Sequence, residues 1–265
     1  MEVGAGTRAL VTGASSGIGE ALARALAARG ATVGLAARSA GELERLAREL
    51  PGSGHLPLPC DVASREAIEA AVAQFVAEAG GLELVVANAG VAHYGPFRAL
   101  TPELVERMTA VNWLGTVWTV RAALEPMVAA GRGHVVIVSS GAAMRSFPDA
   151  AVYGATKAAQ RAFGEALRHE LAGTGVGLTL VYPGEIATHL HDHEKATMPP
   201  WYHGGDRAAS PDRLADAVLA AVAADRRAVA YPKLVGLLGI VHGLSPALAD
   251  MVLRRLRGSA AAPRR

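Results

Sequence analysis

The stretch that most constrains this chain is its first turn. Residues 8–12 are a short apolar run with β-branched members, followed at once by Thr12-Gly13-Ala14-Ser15-Ser16-Gly17-Ile18-Gly19. Residues 20–29 then place Ala21, Leu22, Ala25 and Leu26 on one helical stripe. A strand that passes through glycines into a helix leaves exposed backbone N–H groups at the positive end of that helix, which is an anion site. Glycine is needed where a Cβ would block a phosphate or force an unfavourable φ. The spacing is GxxxGxG, not the GxGxxG of the general dinucleotide fingerprint. Taken alone, the turn is also compatible with a tight connection in a chain of 30 glycines.

The same rhythm continues downstream. Strands are expected at 8–12, 32–36, 55–58, 82–87, 134–139, 176–182 and 228–231, and helices at 20–29, 39–50, 64–79, 101–130, 151–172 and 212–225. Ser64, Thr101-Pro102 and Ser210-Pro211 read as helix starts. Strand–helix alternation with nearly unbroken apolar strands predicts an α/β fold, a doubly wound parallel sheet of about seven strands with helices on both faces. Hydrophobic residues make up 51% and charged residues 19%, which excludes a disordered chain. Residues 1–257 read as one domain, with a loop at about 188–210, an apolar extension at about 232–257 and a disordered tail at 258–265.

Charge and cysteine content narrow the function classes. With 26 basic and 24 acidic residues the formal charge is +2, so nothing demands nucleic acid as a partner. Cys60 stands alone and cannot form an internal disulfide. No basic region followed by an apolar run opens the chain, and no unbroken apolar stretch approaches roughly 18 residues. A cytoplasmic location is the expectation.

The second strand speaks to the choice of nucleotide. An acidic residue at its end is the usual partner of an NAD ribose. Here the stretch reads Leu35-Ala36-Ala37-Arg38-Ser39, without an acid. Arg38 suits a 2′-phosphate through its planar fork and Ser39 can add a hydroxyl, so NADP(H) is the expected cofactor.

Tyr153-Gly154-Ala155-Thr156-Lys157 is the central pattern. Residues i and i+4 share a helix face, which brings phenol and ammonium together. Five tyrosines and three lysines predict only about 0.06 such pairs by chance. The pair opens the helix after the strand ending at Ser139-Ser140, and ligands of open parallel sheets sit at the carboxyl ends of strands. A tyrosine with its ordinary pKa near 10 is a poor acid–base group at neutral pH, and a close cation can lower that value by about 1–3. Tyr153 then exchanges a proton with a carbonyl or alcohol oxygen, and Ser140 hydrogen-bonds the same oxygen.

With TGASSGIG at 12–19, Cys60-Asp61-Val62, ANAG at 87–90, Asn112, Ser140, YGATK at 153–157 and PGEIAT at 183–188, the sequence resembles the short-chain dehydrogenase/reductase family over about residues 6–190. Ser140 stands 13 residues before Tyr153, the usual family spacing. Ala87 departs from the pattern, which often has asparagine there. The resemblance implies a Rossmann-like fold and an NADP(H)-dependent interconversion of a secondary alcohol and a ketone. It implies Tyr153 as acid/base, Lys157 as its activator and ribose ligand, Ser140 as donor to the substrate oxygen, and Asn112 as holder of a relay water. For the cofactor it implies Gly13, Ser15, Ser16, Gly17, Ile18 and Gly19 at the phosphates, beside Arg38 and Ser39. Asp61 and Val62 are implied at adenine, and Asn88, Ala89 and Gly90 at the strand end. Pro183, Gly184, Ile186 and Thr188 are implied at the nicotinamide end. The mechanism needs no metal. A homodimer or homotetramer joined through 101–130 and 151–172 is also implied. NAD-dependent dehydrogenation, or a silent nucleotide-binding scaffold of the same fold, are the competing readings.

Weaker signals concern substrate. Met198, Trp201 and Tyr202 in the loop are candidates for an apolar pocket, and so are His93, Tyr94, Met144 and Phe147 beside the site. His189, His191 and His193 alternate with acids, and the segment reads as solvated and not metal-binding. Leu234, Leu237, Leu238 and Val241, then Leu244, Leu248, Val252 and Leu256, give a long apolar C-terminal stripe ending in Arg254, Arg255 and Arg257. A packed helix, a subunit contact and a helix on a membrane surface all fit it. The apolar extension resembles that of family members acting on long-chain or steroid-like ketones, including 3-ketosphinganine reductases, so an apolar substrate is expected.

Overall fold

A computed structural model describes residues 1–188 and 208–257, the last six of these through their backbone alone. Seven strands, β1 (Arg8–Thr12), β2 (Thr32–Ala37), β3 (Leu56–Pro59), β4 (Leu84–Ala87), β5 (Gly133–Val138), β6 (Val176–Pro183) and β7 (Ala228–Tyr231), form one parallel sheet. Their order is β3-β2-β1-β4-β5-β6-β7. All seven expected strands are present, with ends moved by one or two residues.

The five central strands of the sheet, β2, β1, β4, β5 and β6, alternate between two buried faces, while the edge strands β3 and β7 are largely half-buried. Ala9, Val11, Val33 and Leu35 pack with α1 (Gly17–Ala27), α2 (Ala40–Glu49) and α7 (Pro211–Ala223) on one side. Leu10, Val85, Val135 and Ile137 pack on the other side with α3 (Arg65–Ala79), α5 (Gly115–Ala129) and α6 (Ala151–Glu170). This double burial is why the strands read as continuous apolar runs. Ser64, Thr101 and Ser210 accept hydrogen bonds from the first N–H groups of α3, α4 (Pro102–Met108) and α7, as their positions predict.

Three elements differ from expectation. Helix α1 begins at Gly17, three residues early, so the last glycines of the turn lie inside its first turn. The helix expected over 101–130 is interrupted by a π turn at Thr109–Leu114 that divides α4 from α5. The stripe at 232–257 is two helices, α8 (Lys233–Leu244) and α9 (Pro246–Arg257), parted at Ser245-Pro246. The candidate residues His189, His191, His193, Met198, Trp201 and Tyr202, and the tail 258–265, lie outside the described residues.

Strand order reverses between β1 and β4, whose carboxyl ends open the crevice where ligands of such sheets bind.

Away from that crevice, β5 carries a histidine in the core. His134 is buried, and its Nε2 lies 2.8 Å from Thr179 Oγ1. Because Thr179 donates its hydroxyl to the Arg226 carbonyl, Nε2 of His134 is the donor. Burial pushes His134 down from 6.5 to about 4, against the attraction of Asp225. Above pH 6.5 the ring is neutral folded or unfolded and changes nothing. As pH falls from 6.5 toward 4, the unfolded chain takes a proton that the fold refuses, and about 3 kcal/mol of stability is lost. Urea unfolding across this window should show that loss in the native protein and a shallower one in His134→Gln. Equal slopes would mean that other groups govern acid unfolding.

Candidate active site

The glycine turn is held by the neighbouring strand. Thr12 Oγ1 accepts the N–H groups of Asn88 and Ala89 at 3.0 and 3.1 Å, and the Asn88 amide donates to the Thr12 carbonyl at 2.9 Å. This clamp leaves almost no room around the turn. A Cβ on Gly13, where φ is +67°, would lie 2.9 Å from the Ala89 Cα, and one on Gly19 would overlap the Gly13 carbonyl. Ser16 makes no side-chain cap to α1, so the first N–H groups of that helix face the crevice.

One cavity of about 570 Å³ joins this cradle to the tyrosine helix. It is lined by every cofactor residue implied by the resemblance except Gly19, which is buried behind the turn. Arg38 and Ser39 are exposed on its rim, and among the described residues Arg38 makes no ion pair. Ala37 is buried beside them, and no carboxylate follows β2. Asp61 accepts the Ala63 N–H and pairs with Arg107 at 3.0 Å. Burial would raise this carboxyl, but those two donors outweigh it and hold it below the usual range.

At the other end Tyr153 and Lys157 project from one face of α6 and are both buried. Ser140 ends the loop after β5 and accepts the Ala142 N–H, which leaves its own O–H for the Tyr153 phenol. Lys157 Nζ donates to the Val138 carbonyl at 3.1 Å and stands 5.9 Å from the Tyr153 ring centroid. The protonation differs from expectation. Burial pushes the phenol of Tyr153 up, partly offset by Ser140, and burial pushes Lys157 down to about 7. In the protein alone, desolvation outweighs the attraction that the i,i+4 spacing predicts.

Asn112 is buried in the π turn, one helix away. Its side chain bridges the Val91 N–H and carbonyl at 2.8 and 2.9 Å and donates to Thr156 at 3.1 Å. Its carbonyl accepts from Thr116 and from Gln160, both at 2.8 Å. Asn112 is thus bonded to protein groups through both its side chain and its backbone carbonyl, and it ties the loop after β4 to the catalytic face of α6. Gln160, one turn beyond Lys157, was not anticipated. Buried amides at such positions are usually packing groups, and only the π turn exposes a carbonyl for it.

The substrate end is apolar. Tyr94, Met144 and Phe147 line the cavity as expected, whereas His93 does not. The Tyr94 ring leans on Tyr153, with centroids 5.7 Å apart. Sequence reasoning missed Val235, Leu238 and Gly239 of α8, Ala249 of α9, and Arg145, which pairs with Asp250 of α9. These reach the cavity only through the tertiary fold. Glu185 also lines the cavity, with one buried carboxylate oxygen lacking a hydrogen-bond partner.

Residues 7–199 match the family described as short chain dehydrogenase. An uncharacterized oxidoreductase of Myxococcus xanthus is 42% identical over 193 residues, covering 72% of this chain and 76% of its own length. Among solved structures, an alcohol dehydrogenase from Thermococcus sibiricus complexed with 5-hydroxy-NADP is 29% identical with a TM-score of 0.76, covering 84% of this chain and 95% of that one. A 3-ketoacyl-(acyl-carrier-protein) reductase from Brucella melitensis complexed with NADH is 28% identical with a TM-score of 0.77, covering 86% and 97%.

Proposed function

Because the chain belongs to the short-chain dehydrogenase family and is an oxidoreductase with an NAD(P)-binding fold, we propose that it interconverts a secondary alcohol and a ketone on an apolar substrate with NADP(H). The observation that carries this reading is a single cavity holding a phosphate cradle at one end and the Tyr153, Ser140 and Lys157 side chains at the other.

The residues present fit a dinucleotide. The Cβ-free turn and the uncapped start of α1 take a pyrophosphate. Asp61 and Val62 take adenine, and Ile186 and Thr188 the nicotinamide end, where the unpartnered oxygen of Glu185 awaits a donor. When bound, the cofactor supplies or accepts the hydride. The Ser140 hydroxyl donates to the substrate oxygen and fixes its position. Tyr153 gives that oxygen a proton in the reductive direction and takes one in the oxidative direction. Lys157 holds the nicotinamide ribose and, once charged, favours the phenolate. Asn112 acts through α6 and the Val91 loop as a positioning residue. The apolar wall of Met144, Phe147, Val235 and Leu238 favours ketones with hydrocarbon substituents, and a series of graded chain length read by NADPH consumption tests that preference.

Arg38 is the reason for preferring NADP(H). A guanidinium on a 2′-phosphate is a charge-assisted contact, and its removal should weaken NADPH binding by about 10–100-fold. Parallel titrations of Arg38→Ala with NADPH and NADH should show that loss, with NADH changed less than about twofold. An unaltered preference removes Arg38 from the site.

A further inference from the structure

The two C-terminal helices present an apolar face that the fold does not cover. On α8, Leu234, Leu237, Ile240 and Leu244 fall within one arc of the helix and are all more than half exposed, Leu244 by 83%. On α9, Leu248 and Met251 continue the face. The opposite side of the same hairpin, through Val235, Leu238 and Ala249, forms the wall of the active-site cavity. A helix that is apolar all round belongs in a core or against a membrane. No α8 residue is buried.

Charge decides what covers the face. Residues 233–265 hold Lys233 and five arginines against Asp250 alone, so this segment carries +5 while residues 1–232 carry −3. After Asp250 the chain contains five arginines and no acid. A second copy docked here symmetrically would set +5 against +5, which disfavours a homodimer through this face. Exposed leucines in a segment whose sequence goes on to five arginines suit the boundary between headgroups and acyl chains of an anionic bilayer. Among the described residues no helix is long and apolar enough to cross a membrane.

We infer that the α8–α9 hairpin docks this protein peripherally on anionic lipid surfaces, so that the hairpin lies between the bilayer and the active-site cavity that its other side walls. The docking rests on the hairpin's own face and charge. Only its use for collecting an apolar substrate rests on the proposed reaction.

Cosedimentation with phosphatidylglycerol-containing vesicles, set against pure phosphatidylcholine vesicles, tests this on the full chain. The wild type should pellet with the anionic vesicles alone and be released by raised salt. Arg254→Ala/Arg255→Ala should bind on the order of 30-fold more weakly. Leu237→Asp/Ile240→Asp, at exposed positions outside the cavity, should lose vesicle binding with melting temperature and NADPH affinity unchanged. Failure to bind anionic vesicles, binding indifferent to lipid charge, or a wild-type dimer in light scattering that the leucine–isoleucine variant dissolves would each overturn the inference. The NADPH titration in the same series reports separately on the proposed function.

Discussion

Tyr153→Phe is expected to cut carbonyl turnover by about 10²–10⁴-fold while leaving NADPH affinity within about twofold. The substitution removes one oxygen and keeps the ring that packs against Tyr94. The hydroxyl's protein partner is the O–H of Ser140, which is only half-buried on the cavity wall and can turn to water there, so no buried group is stranded. The cradle around Gly13 and Gly17 lies at the other end of the cavity and is untouched. A fall in turnover alone, with melting temperature and nucleotide titration unchanged, identifies the phenol as the proton carrier. Turnover near the wild-type rate would remove Tyr153 from that role and leave the enzymatic reading without its acid.

How much of this was legible beforehand depends on the range of the interaction. The central strands were readable because burial on both faces writes them as apolar runs between turn residues, and the edge strands β3 and β7 because the strand–helix rhythm continues through them. The start of α1 was not, since Gly17 and Gly19 are poor helix formers; Gly17 is needed for its φ of +57°, and a Cβ on Gly19 would overlap the Gly13 carbonyl and meet the Asn88 amide. The π turn at Thr109–Leu114 adds one residue to a helix without disturbing its apolar pattern, so 101–130 reads as continuous. The break between α8 and α9 did leave a signal. Ser245 accepts the Leu248 N–H and Pro246 opens α9, the same Ser-Pro start that was recognised at Ser210-Pro211.

The site divides in the same way. Tyr153 and Lys157 are four residues apart on one helix, and their proximity is local geometry. Gln160 against the Asn112 carbonyl, Arg107 on Asp61 and the α8–α9 wall join residues 46 or more positions apart, and no pattern along the chain encodes them. The protonation of the pair was unreadable for a different reason. Spacing gives the attraction between phenol and ammonium, but burial sets the desolvation that opposes it, and burial belongs to the folded chain.

That opposition makes Lys157→Met the more revealing variant, because it should lose activity and gain stability together. Turnover should fall by about 10²–10⁴-fold, since neither the ribose contact nor the charge that favours phenolate remains. Stability follows from the amine's position. Burial lowers Lys157 from 10.5 to about 7, so between those values the unfolded chain binds a proton that the folded chain does not. Folding is therefore penalised most fully below about pH 7, and the penalty fades as pH rises toward 10.5. The full penalty is of order 5 kcal/mol, and losing the bond from Nζ to the Val138 carbonyl takes back about 1–3 kcal/mol. A buried methionine of similar length should then stabilise the cofactor-free protein at neutral pH by about 2 kcal/mol, a rise in melting temperature of roughly 4–8 °C. The gain should shrink and then reverse in alkaline buffer, where the penalty is gone and only the lost bond to the Val138 carbonyl remains. A variant that is less stable than wild type at neutral pH, or whose gain ignores pH, would show that the fold accommodates the ammonium without cost and that the pair is charged before any ligand binds.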